Sequence, residues 1–546
     1  MESSLRNLSE SSSDFRLQTT SQSANIIFSF IENLEITPLN LLVYIPILYL
    51  LYIVLLVSYR LYLSPLAKFP GPKIAAATLW TEFYYDAVLG GQFQFKVKEW
   101  HEIYGPVVRI NPFEIHIDDP KGDFYGTVFS NTGIRDKHEF YTSQFGTGKT
   151  GFGTVSHHLH RLRRKAMNPF FQPSNVLRFE PVIKAKLDKL CQRIDQYSAA
   201  KLGAMPMRIV FMSYATDVIT SFTLNHSWNH LDAPDFNPWW WQTTQCTAKM
   251  TKWTKQFPWL LPMLQGLPDF IVKAMDPNLI LVLEMQRKIE GIVVDVLSGK
   301  DGKYAYYPDG SPRTIFHEIL KSDSLPAADR DVEYLWQEGQ NFLGAGSDTV
   351  AFVLTMATYY LLADTKKAEK LREELRVARA DKDTELRVVA LMKLPYLTGV
   401  VNEALRLSYG TSCRLTRIAP TESLNFQHWH IPAGTPISMS SLMMHHNENI
   451  FPQSHTFSPE RWADQEDGGK ALERYLVSFS KGSRQCIGMG FAKAEIYLTI
   501  ATLFSRYTNM TLYDTDYDRD VKMVSDMFFP QASKESRGVR VLFGEN

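Results

Sequence analysis

Apolar residues recur every three or four positions along much of this 546-residue chain. That spacing places them on one face of an α-helix, whereas a few short segments bounded by proline and glycine have the composition of strands. The pattern predicts a mainly α fold with a small β portion. The predicted helices cover residues 175–198, 279–297, 331–362, 365–379 and 396–407, and the predicted strands cover 107–110, 114–117, 428–431 and 437–439.

One segment near the N-terminus departs from this amphipathic pattern. Residues 36–58 are mostly apolar, and no charged residue occurs between Leu41 and Val57, so the segment with its flanks is long enough to cross a bilayer. A secretory signal peptide is one alternative, but the segment is too long, starts too late and is not followed by a small-residue cleavage site. A buried helix of the globular body is the other. We predict a single transmembrane anchor at residues 36–58.

The segments on either side of this anchor differ in character. Residues 1–35 are rich in serine, asparagine, glutamine and glutamate, which predicts a poorly ordered tail, and they contain a glycosylation sequon at Asn7. Residues 59–75 hold three prolines and a glycine within eight positions, which predicts a stiff hinge. Basic residues follow the anchor closely, so the positive-inside rule places the remaining body, residues 76–546, on the cytosolic side.

Composition and charge narrow the function classes. Lys and Arg together number 58, as do Asp and Glu, so no strong field favours nucleic acid as a partner. The four cysteines are widely spaced and form no CxxC pair, which fits a reducing compartment and no disulfide framework. Because 45% of the residues are hydrophobic and 13% aromatic, surfaces for apolar ligands are available.

The setting of Cys486 indicates a metal ligand. Gly482 and Gly488 flank it and allow tight turns and close approach of backbone N–H groups to the sulfur. Residues 487–504 read as a helix, whose N-terminus favours a thiolate, and Arg484 adds a charge that can hold an anionic group. A small buried core cysteine is the alternative. With one cysteine in the cluster, the metal must bring its other ligands, and haem iron does so.

The same stretch reads Phe-x-x-Gly-x-Arg-x-Cys-x-Gly-x-x-x-Ala and resembles the haem-binding loop of the cytochrome P-450 superfamily. The resemblance implies one large haem-binding catalytic domain at residues 76–546, with heme b (iron-protoporphyrin IX) as the cofactor and Cys486 as its axial thiolate ligand. The matching positions, which the resemblance assigns to the cofactor loop, are Phe479, Gly482, Arg484, Cys486, Gly488 and Ala492.

A second motif pairs Glu403 with Arg406 on one helical face. By itself this is an ordinary surface pair of small energetic value. Arg461 follows downstream, before residues 479–492, which we call the cysteine loop. In the superfamily an equivalent pair and a later arginine form a buried Glu-Arg-Arg network, so the resemblance implies a structural role for these three residues.

Two glycines, Gly344 and Gly346, lie inside the long predicted helix 331–362, where each costs about 1 kcal/mol relative to alanine. Their presence has two explanations, a local distortion that makes room for a small ligand or close packing against another helix. Asp348 and Thr349 follow, and the segment resembles the superfamily's Ala-Gly-x-Asp/Glu-Thr motif. The resemblance implies that Thr349 orients oxygen and a water molecule and that Asp348 assists proton delivery.

The basic segment 157–165 has three explanations: a nucleic-acid patch, a zinc site or a cofactor contact. No partner set for zinc is evident beside its histidines. The segment resembles the superfamily helix near the haem propionates, with Arg164 at the usual arginine and His160 in place of the usual tryptophan. We therefore expect Arg164, Arg417 and Arg484 to pair with the propionates, with His160 close by.

Tryptophan-rich segments at 237–241 and 256–264 leave two explanations open. Their aromatic side chains belong either to the core or to a surface that dips into the bilayer interface, where tryptophan is favoured.

The resemblance as a whole implies a membrane-anchored haem-thiolate monooxygenase of the endoplasmic reticulum. It would insert one atom of O₂ into a hydrophobic substrate, with electrons from NADPH–cytochrome P-450 reductase. Segments 69–78, 161–171 and 406–410 resemble fungal members of secondary metabolism such as trichodiene-oxygenase-like enzymes, which favours a terpenoid or polyketide intermediate. The alternatives are a haem-thiolate hydroperoxide isomerase, against which Thr349 argues, and a non-catalytic haem sensor or carrier.

Overall fold

The computed structural model describes residues 37–300, 302, 306–380, 387–463 and 469–544. The predicted tail at 1–35, with the sequon at Asn7, lies outside these residues. The chain divides into two compact units, Met1–Ala67 and Lys68–Asn546. The division falls inside the range predicted as a hinge.

The first unit contains one long apolar helix, α1 (Pro38–Ser58), which continues as a π-helical turn over Tyr59–Leu63. The helix begins where Thr37 accepts a hydrogen bond from the backbone of Asn40, with proline at the first helical position. Asn40–Leu63 is a candidate membrane span, with a mean hydropathy of 2.6.

Helices dominate the second unit, which confirms the mainly α fold. The ends of the five predicted helices differ from the observed ends by no more than two residues. The helices of this unit are α2 (Lys73–Ala77), α3 (Trp80–Phe83), α4 (Phe93–Tyr104), α5 (Phe124–Val128), α6 (Glu139–Thr142), α7 (His157–Met167), α8 (Pro173–Ala199), α9 (Met207–Leu224), α10 (Trp239–Gln256), α11 (Leu260–Gln265), α12 (Asp269–Met275), α13 (Pro277–Leu297), α14 (Ile315–Lys321), α15 (Val332–Ala363), α16 (Thr365–Ala380), α17 (Val388–Leu391), α18 (Pro395–Ser408), α19 (Ser441–His445), α20 (Glu460–Ala463), α21 (Lys470–Glu473) and α22 (Met489–Arg506).

Short strands form the small β portion. The strands are β1 (Val107–Arg109), β2 (Ile115–Ile117), β3 (Met205–Pro206), β4 (Leu415–Ile418), β5 (Leu424–Phe426), β6 (Trp429–Ile431), β7 (Pro436–Met439), β8 (Met510–Leu512), β9 (Ser525–Met527), β10 (Phe529–Gln531) and β11 (Arg540–Phe543). The four-stranded sheet has the order β1-β2-β7-β4, where β2 and β7 run parallel and the other neighbours antiparallel. A three-stranded sheet has the order β3-β11-β8, and two hairpins pair β5 with β6 and β9 with β10.

The long helix α15 lies at the centre of the core. It begins at Asp331, whose carboxylate accepts a hydrogen bond from the backbone of Tyr334 at 2.7 Å. Helices α9, α13, α18 and α22 pack around it. A helix that is apolar around most of its circumference is stable only when surrounded in this way. The packing carries the glycine-containing segment of α15 into the interior of the unit.

Candidate functional site

One cavity of about 410 Å³ in the second unit brings most of the predicted site residues together. The cysteine loop forms one of its walls and the middle of α15 forms another. The predicted site residues that line it are His160, Arg164, Thr349, Arg417, Phe479, Arg484, Cys486 and Gly488. Five other predicted site residues lie outside the lining: Gly482, Asp348, Glu403, Arg406 and Arg461.

Cys486 lies two residues before Gly488, the N-cap of α22, and its side chain is exposed to the cavity. Its backbone N–H donates to the carbonyl of Phe479 at 3.0 Å. Burial raises the pKa of the Cys486 thiol, while the backbone N–H of Gly488 and the charge of Arg164 act in the opposite direction. The N–H group at the helix terminus therefore favours the thiolate, as the sequence predicts, and burial opposes it. A cation bound to the sulfur would reverse the balance.

Glycine is required at position 482 for two reasons. Its φ of +79° is strained for other residues, and a Cβ there would lie 2.3 Å from the carbonyl oxygen of Phe129. At Gly488 a Cβ would meet no described atom within 4 Å, so this position opens onto the cavity. Gly482 thus shapes the turn before the cysteine, and Gly488 leaves the space beside the sulfur clear.

Three arginines line the cavity without a carboxylate within 4 Å among the described residues: Arg164, Arg417 and Arg484. Burial is the largest influence that lowers the pKa of Arg417 to about 10 and that of Arg484 to about 9. Buried cations are stable only when they are paired. Arg164 donates to the backbone carbonyl of Gln485 and to the amide oxygen of Asn168. Arg417 donates to the backbone carbonyl of Thr416, and Arg484 donates to those of Thr154 and Val155.

His160 adds a neutral ring to this group of cations. Burial, followed by the charge of Arg484, lowers its pKa to about 2, so the imidazole carries no charge at neutral pH. Its Nδ1 is buried and has no hydrogen-bond partner among the described atoms. A neutral imidazole can donate one hydrogen bond to a carboxylate, as the ring N–H of tryptophan does.

The cavity as a whole fits haem. It combines a cysteine sulfur on one wall, apolar and aromatic walls, and unpaired arginines that would attract carboxylates. An unpartnered buried Nδ1 at His160 and an unpartnered buried Nε at Arg484 are further signs that a polar ligand group belongs beside them.

The wall formed by α15 carries Thr349. The helix remains α-helical through this segment, and the Thr349 hydroxyl donates to the carbonyl of Ala345 at 2.7 Å. Asp348 does not line the cavity: its buried carboxylate accepts from Nη2 of Arg208 at 2.6 Å. Its second oxygen is buried without a partner among the described atoms. The acid is therefore held by an arginine of α9, and only the alcohol faces the cavity.

The two glycines of α15 have different surroundings. A Cβ on Gly346 would lie 2.4 Å from Cγ1 of Ile219 in α9, so glycine there permits close helix packing. A Cβ on Gly344 would meet no described atom within 4 Å, and Gly344 lines the cavity. Close helix packing therefore explains Gly346. Gly344 leaves space at the cavity without the local distortion that the other explanation invoked, because α15 stays α-helical there.

The Glu403, Arg406 and Arg461 side chains form one buried network away from the cavity. Arg406 donates to both carboxylate oxygens of Glu403, at 2.8 and 2.7 Å, and Arg461 donates to one of them at 3.2 Å. Arg406 also donates to the carbonyl of His445, whose Nε2 accepts from the backbone N–H of Val477 at 3.0 Å. Because Val477 lines the cavity just before the cysteine loop, the network supports that loop from behind.

The histidines of segment 157–165 were one candidate for a zinc site. Among the described residues no group of three or more His, Cys, Asp or Glu side chains could hold a metal ion, and the backbone N–H of His157 donates to Asp136 at 2.7 Å.

Burial separates the two tryptophan-rich segments. Trp240 is buried, lines the cavity and donates to the hydroxyl of Ser347 at 3.1 Å. Trp259, in the second tryptophan-rich segment, is 60% exposed. The first segment is therefore core, and the second reaches the surface.

Two residues of the site were not predicted from the sequence. Arg208 pairs with Asp348. It is the single charged residue of the otherwise apolar segment 207–212, and a charge in a buried apolar segment requires a buried partner. Lys137 lines the cavity near Arg417 and Arg484, and its surroundings in the sequence give no sign of this.

Comparison with known proteins shows which family and which proteins this chain is similar to. The family model for cytochrome P-450 matches residues 70–522. The chain is 53% identical over 513 residues to the cytochrome P-450 monooxygenase MO6277 of Ascocoryne sarcoides, covering 93% of this chain and 99% of that protein. It is 39% identical over 510 residues to the cytochrome P-450 monooxygenase tpcC of Cochliobolus heterostrophus, covering 90% and 94%. It is 37% identical over 483 residues to the tryptophan 6-hydroxylase fscE of Fusarium equiseti, covering 88% and 93%.

Proposed function

The chain belongs to the cytochrome P-450 family and is a monooxygenase, and we propose that Cys486 is the axial thiolate ligand of its haem b. The observation that carries this proposal is the exposure of the Cys486 sulfur to a cavity that also holds three unpaired arginines. When bound, haem supplies the activation of O₂, which a cysteine ligand promotes by pushing electron density toward O–O cleavage.

We assign the arginines and His160 to the two haem carboxylates. Arg164, Arg417 and Arg484 supply charge, and His160 supplies a neutral N–H donor. Phe479, Gly482 and Gly488 shape the loop that presents the sulfur. Glu403, Arg406 and Arg461 take no part in binding in this proposal and hold the backbone behind the loop.

We assign proton handling to Thr349. Its hydroxyl proton points to the carbonyl of Ala345, so its oxygen lone pairs are available to accept a hydrogen bond from the cavity side. Asp348 is held away from the cavity by Arg208. The carboxylate can assist Thr349 only when that ion pair rearranges, which makes Arg208 a positioning residue for Asp348.

The substrate that we propose is a hydrophobic small molecule, a terpenoid or polyketide intermediate of secondary metabolism. The relatives are fungal monooxygenases of secondary-metabolite pathways, and one of them hydroxylates the ring of tryptophan. Aromatic side chains supply much of the cavity lining, which favours flat apolar substrates. They include Tyr141, Phe145, Phe152, Trp240, Phe342, Phe528 and Phe529. Comparison of the metabolites of a strain with and without the gene identifies the compound, and unchanged terpenoids and polyketides would contradict this assignment.

We further propose that the protein is anchored in the endoplasmic reticulum membrane by α1, with its catalytic unit in the cytosol, and receives electrons from NADPH–cytochrome P-450 reductase. The candidate span at Asn40–Leu63 supports the anchor. Exposed aromatic side chains on the second unit, including Trp80, Trp259 and Phe270, suit contact with the bilayer interface. Recovery of the full chain in the soluble fraction after lysis without detergent would contradict the anchor.

The optical spectrum of the reduced carbon monoxide adduct tests the central proposal. We expect the red-shifted band that is characteristic of thiolate-ligated haem in the wild-type protein and its loss in Cys486→Ala. The same substitution at Cys413, a buried cysteine outside the cavity lining, is the control and should retain the band. A wild-type spectrum without the thiolate band would overturn the assignment of Cys486.

A further inference from the structure

Gln340 is a buried amide on the cavity wall. It belongs to α15, is only 9% exposed and lines the cavity. Its Oε1 accepts a hydrogen bond from Nε2 of Gln286 in α13 at 2.9 Å, whereas its own Nε2 has no hydrogen-bond partner among the described residues. Because buried polar groups in proteins almost always have a partner, the free N–H groups of Gln340 indicate that an acceptor from outside the chain belongs beside them.

A chain of three amides determines which end of Gln340 is free. Gln286 donates its NH₂ group to Gln340, and its own Oε1 accepts from Nε2 of Gln265 in α11 at 3.1 Å. The oxygen of Gln340 is therefore occupied by α13, and the nitrogen on the other arm of the planar amide is the atom left for a ligand. Since an amide nitrogen can only donate, the ligand atom that meets it must be an acceptor.

The wall of the cavity formed by α10 adds further polar groups. Trp240, Thr243, Thr244, Thr247 and Ala248 line the cavity from one face of this helix, and three of them are threonine. Each threonine hydroxyl donates to a backbone carbonyl of the same helix at 2.9 Å, so its lone pairs remain free to accept. A ligand that is apolar throughout would leave these oxygens and the Gln340 amide without partners, at a cost in affinity.

The glutamine and the three threonines carry no charge at any pH. A charged group of a ligand would be buried beside side chains that cannot neutralise it, which costs far more than burial of an uncharged polar group. A carbonyl or hydroxyl oxygen accepts a hydrogen bond from an amide without that cost.

We propose that Gln340 is a specificity-determining residue that donates a hydrogen bond to a carbonyl or hydroxyl oxygen of the substrate. This inference rests on the proposed function, in which the cavity is the substrate site of the monooxygenase. The substrate is then an intermediate that already carries oxygen, so an earlier reaction must supply that oxygen, and a bare hydrocarbon is a poor substrate. The competing role is structural: Gln340 would only link α15 to α13 through Gln286.

Two variants of the full-length holoenzyme separate these roles. Gln340→Met keeps the length of the side chain and removes the amide. Gln286→Met breaks the same hydrogen bond between the two helices but leaves the Gln340 amide in place. The probes are benzophenone and its methylene analogue, in which a CH₂ group replaces the carbonyl oxygen. Titration of each protein, followed by the shift of the haem Soret band, gives the Kd of each probe.

We expect the ratio of the Kd of the methylene analogue to that of benzophenone to fall at least about fivefold in Gln340→Met, because the hydrogen bond to the ketone is lost. Gln286→Met should keep the wild-type ratio. The inference is wrong if Gln340→Met leaves the ratio unchanged, or if Gln286→Met lowers it equally.

The natural substrate tests the same inference without any variant. The compound that the metabolite comparison identifies should carry a carbonyl or hydroxyl oxygen, and a substrate without one would overturn the role of Gln340. Failure of the proposed function itself looks different, because the wild-type protein would then show no thiolate band with carbon monoxide.

Discussion

At the scale of single residues, some buried charges are neutralised by the protein and others are not. Asp348 is paired with Arg208 in a buried ion pair, so this charge needs no ligand. Arg417 and Arg484 line the cavity, and within the described part of the chain their hydrogen-bond acceptors are backbone carbonyls alone. Since a buried charge is costly unless it is paired, these arginines support our proposal that an anionic group binds beside them.

Substitution of Thr349 tests proton handling at the cavity wall. Thr349→Ala removes the hydroxyl, so protons would no longer be delivered productively while reduction by the reductase continues. With the substrate that the metabolite comparison identifies, we expect NADPH consumption to stay fast and product per NADPH to fall at least about tenfold. Thr349→Ser, which keeps a hydroxyl on the same helix turn, is the control and should retain most of the yield. An unchanged yield in the alanine variant would show that Thr349 has no such role.

The residues of the site differ in how far the sequence can predict them. Cys486, Gly482 and Arg484 lie within five positions, so their common role is visible as a motif. The ion pair between Arg208 and Asp348 joins residues 140 positions apart, and only the packing of α9 against α15 brings them together. A local pattern cannot predict which of several buried partners such a charge will take.

At the scale of elements, α15 serves both as a wall of the cavity and as a support for the loop before α7. Near its start, Gln337 accepts from the backbone N–H of Lys149 at 3.2 Å. One turn further, Asn341 accepts from the hydroxyl of Thr147 at 3.2 Å. The same loop supplies the carbonyls that accept hydrogen bonds from Arg484. The helix thus links the loop to the arginine that we assign to a propionate.

Between these two contacts, the carboxyl group of Glu338 accepts a hydrogen bond from the backbone N–H of Gly151 at 2.6 Å. Because Glu338 is an acid, this link between α15 and the loop before α7 depends on pH. Burial raises the pKa of Glu338 to about 7 from an ordinary 4.5. The folded protein thus keeps the proton over a pH range in which the unfolded chain has lost it. The stability from this group is complete below about pH 4.5 and is lost as the pH rises through 7.

The variant Glu338→Gln isolates this effect because glutamine keeps an acceptor for the Gly151 N–H and cannot ionise. From pH 4.5 to 8 we expect the free energy of unfolding of the wild type to fall by about 3 kcal/mol relative to the variant. Denaturant unfolding at several pH values measures the difference, in which the contributions of groups common to both proteins cancel. A constant difference across this range would show that Glu338 does not titrate as described.

At the scale of the whole molecule, a buried ionic network joins elements that are distant in sequence. Lys255 of α10 donates to Asp86 at 2.7 Å and also pairs with Glu82 of α3. Arg414, just before β4, pairs with Glu82 and Glu114 at 2.9 Å each. The network ties the helix that carries Trp240 to the four-stranded sheet, so it positions one wall of the cavity.

The sequence predicts the long helices of the core better than it predicts this network. Helical spacing located α15 and α18 to within a residue at each end, because the apolar stripe of a long helix is repeated many times. The strands of two to four residues are too short to show such a repeat. The sequence did not predict β3, β4, β5, β8, β9, β10 and β11. Pairing of Arg414 with Glu82 depends on a separation of 332 positions, which no local pattern encodes.

Removal of one cation from this network tests whether it stabilises the unit. Lys255→Met retains the aliphatic volume but leaves the carboxylates of Glu82 and Asp86 buried with one positive partner fewer. We expect the free energy of unfolding to fall by about 3–5 kcal/mol, because breaking a buried pair leaves an uncompensated charge. Arg376→Met, which breaks an exposed pair with Glu373, is the matched control and should change stability little. Equal effects of the two substitutions in denaturant unfolding would show that the buried network contributes no more than a surface pair.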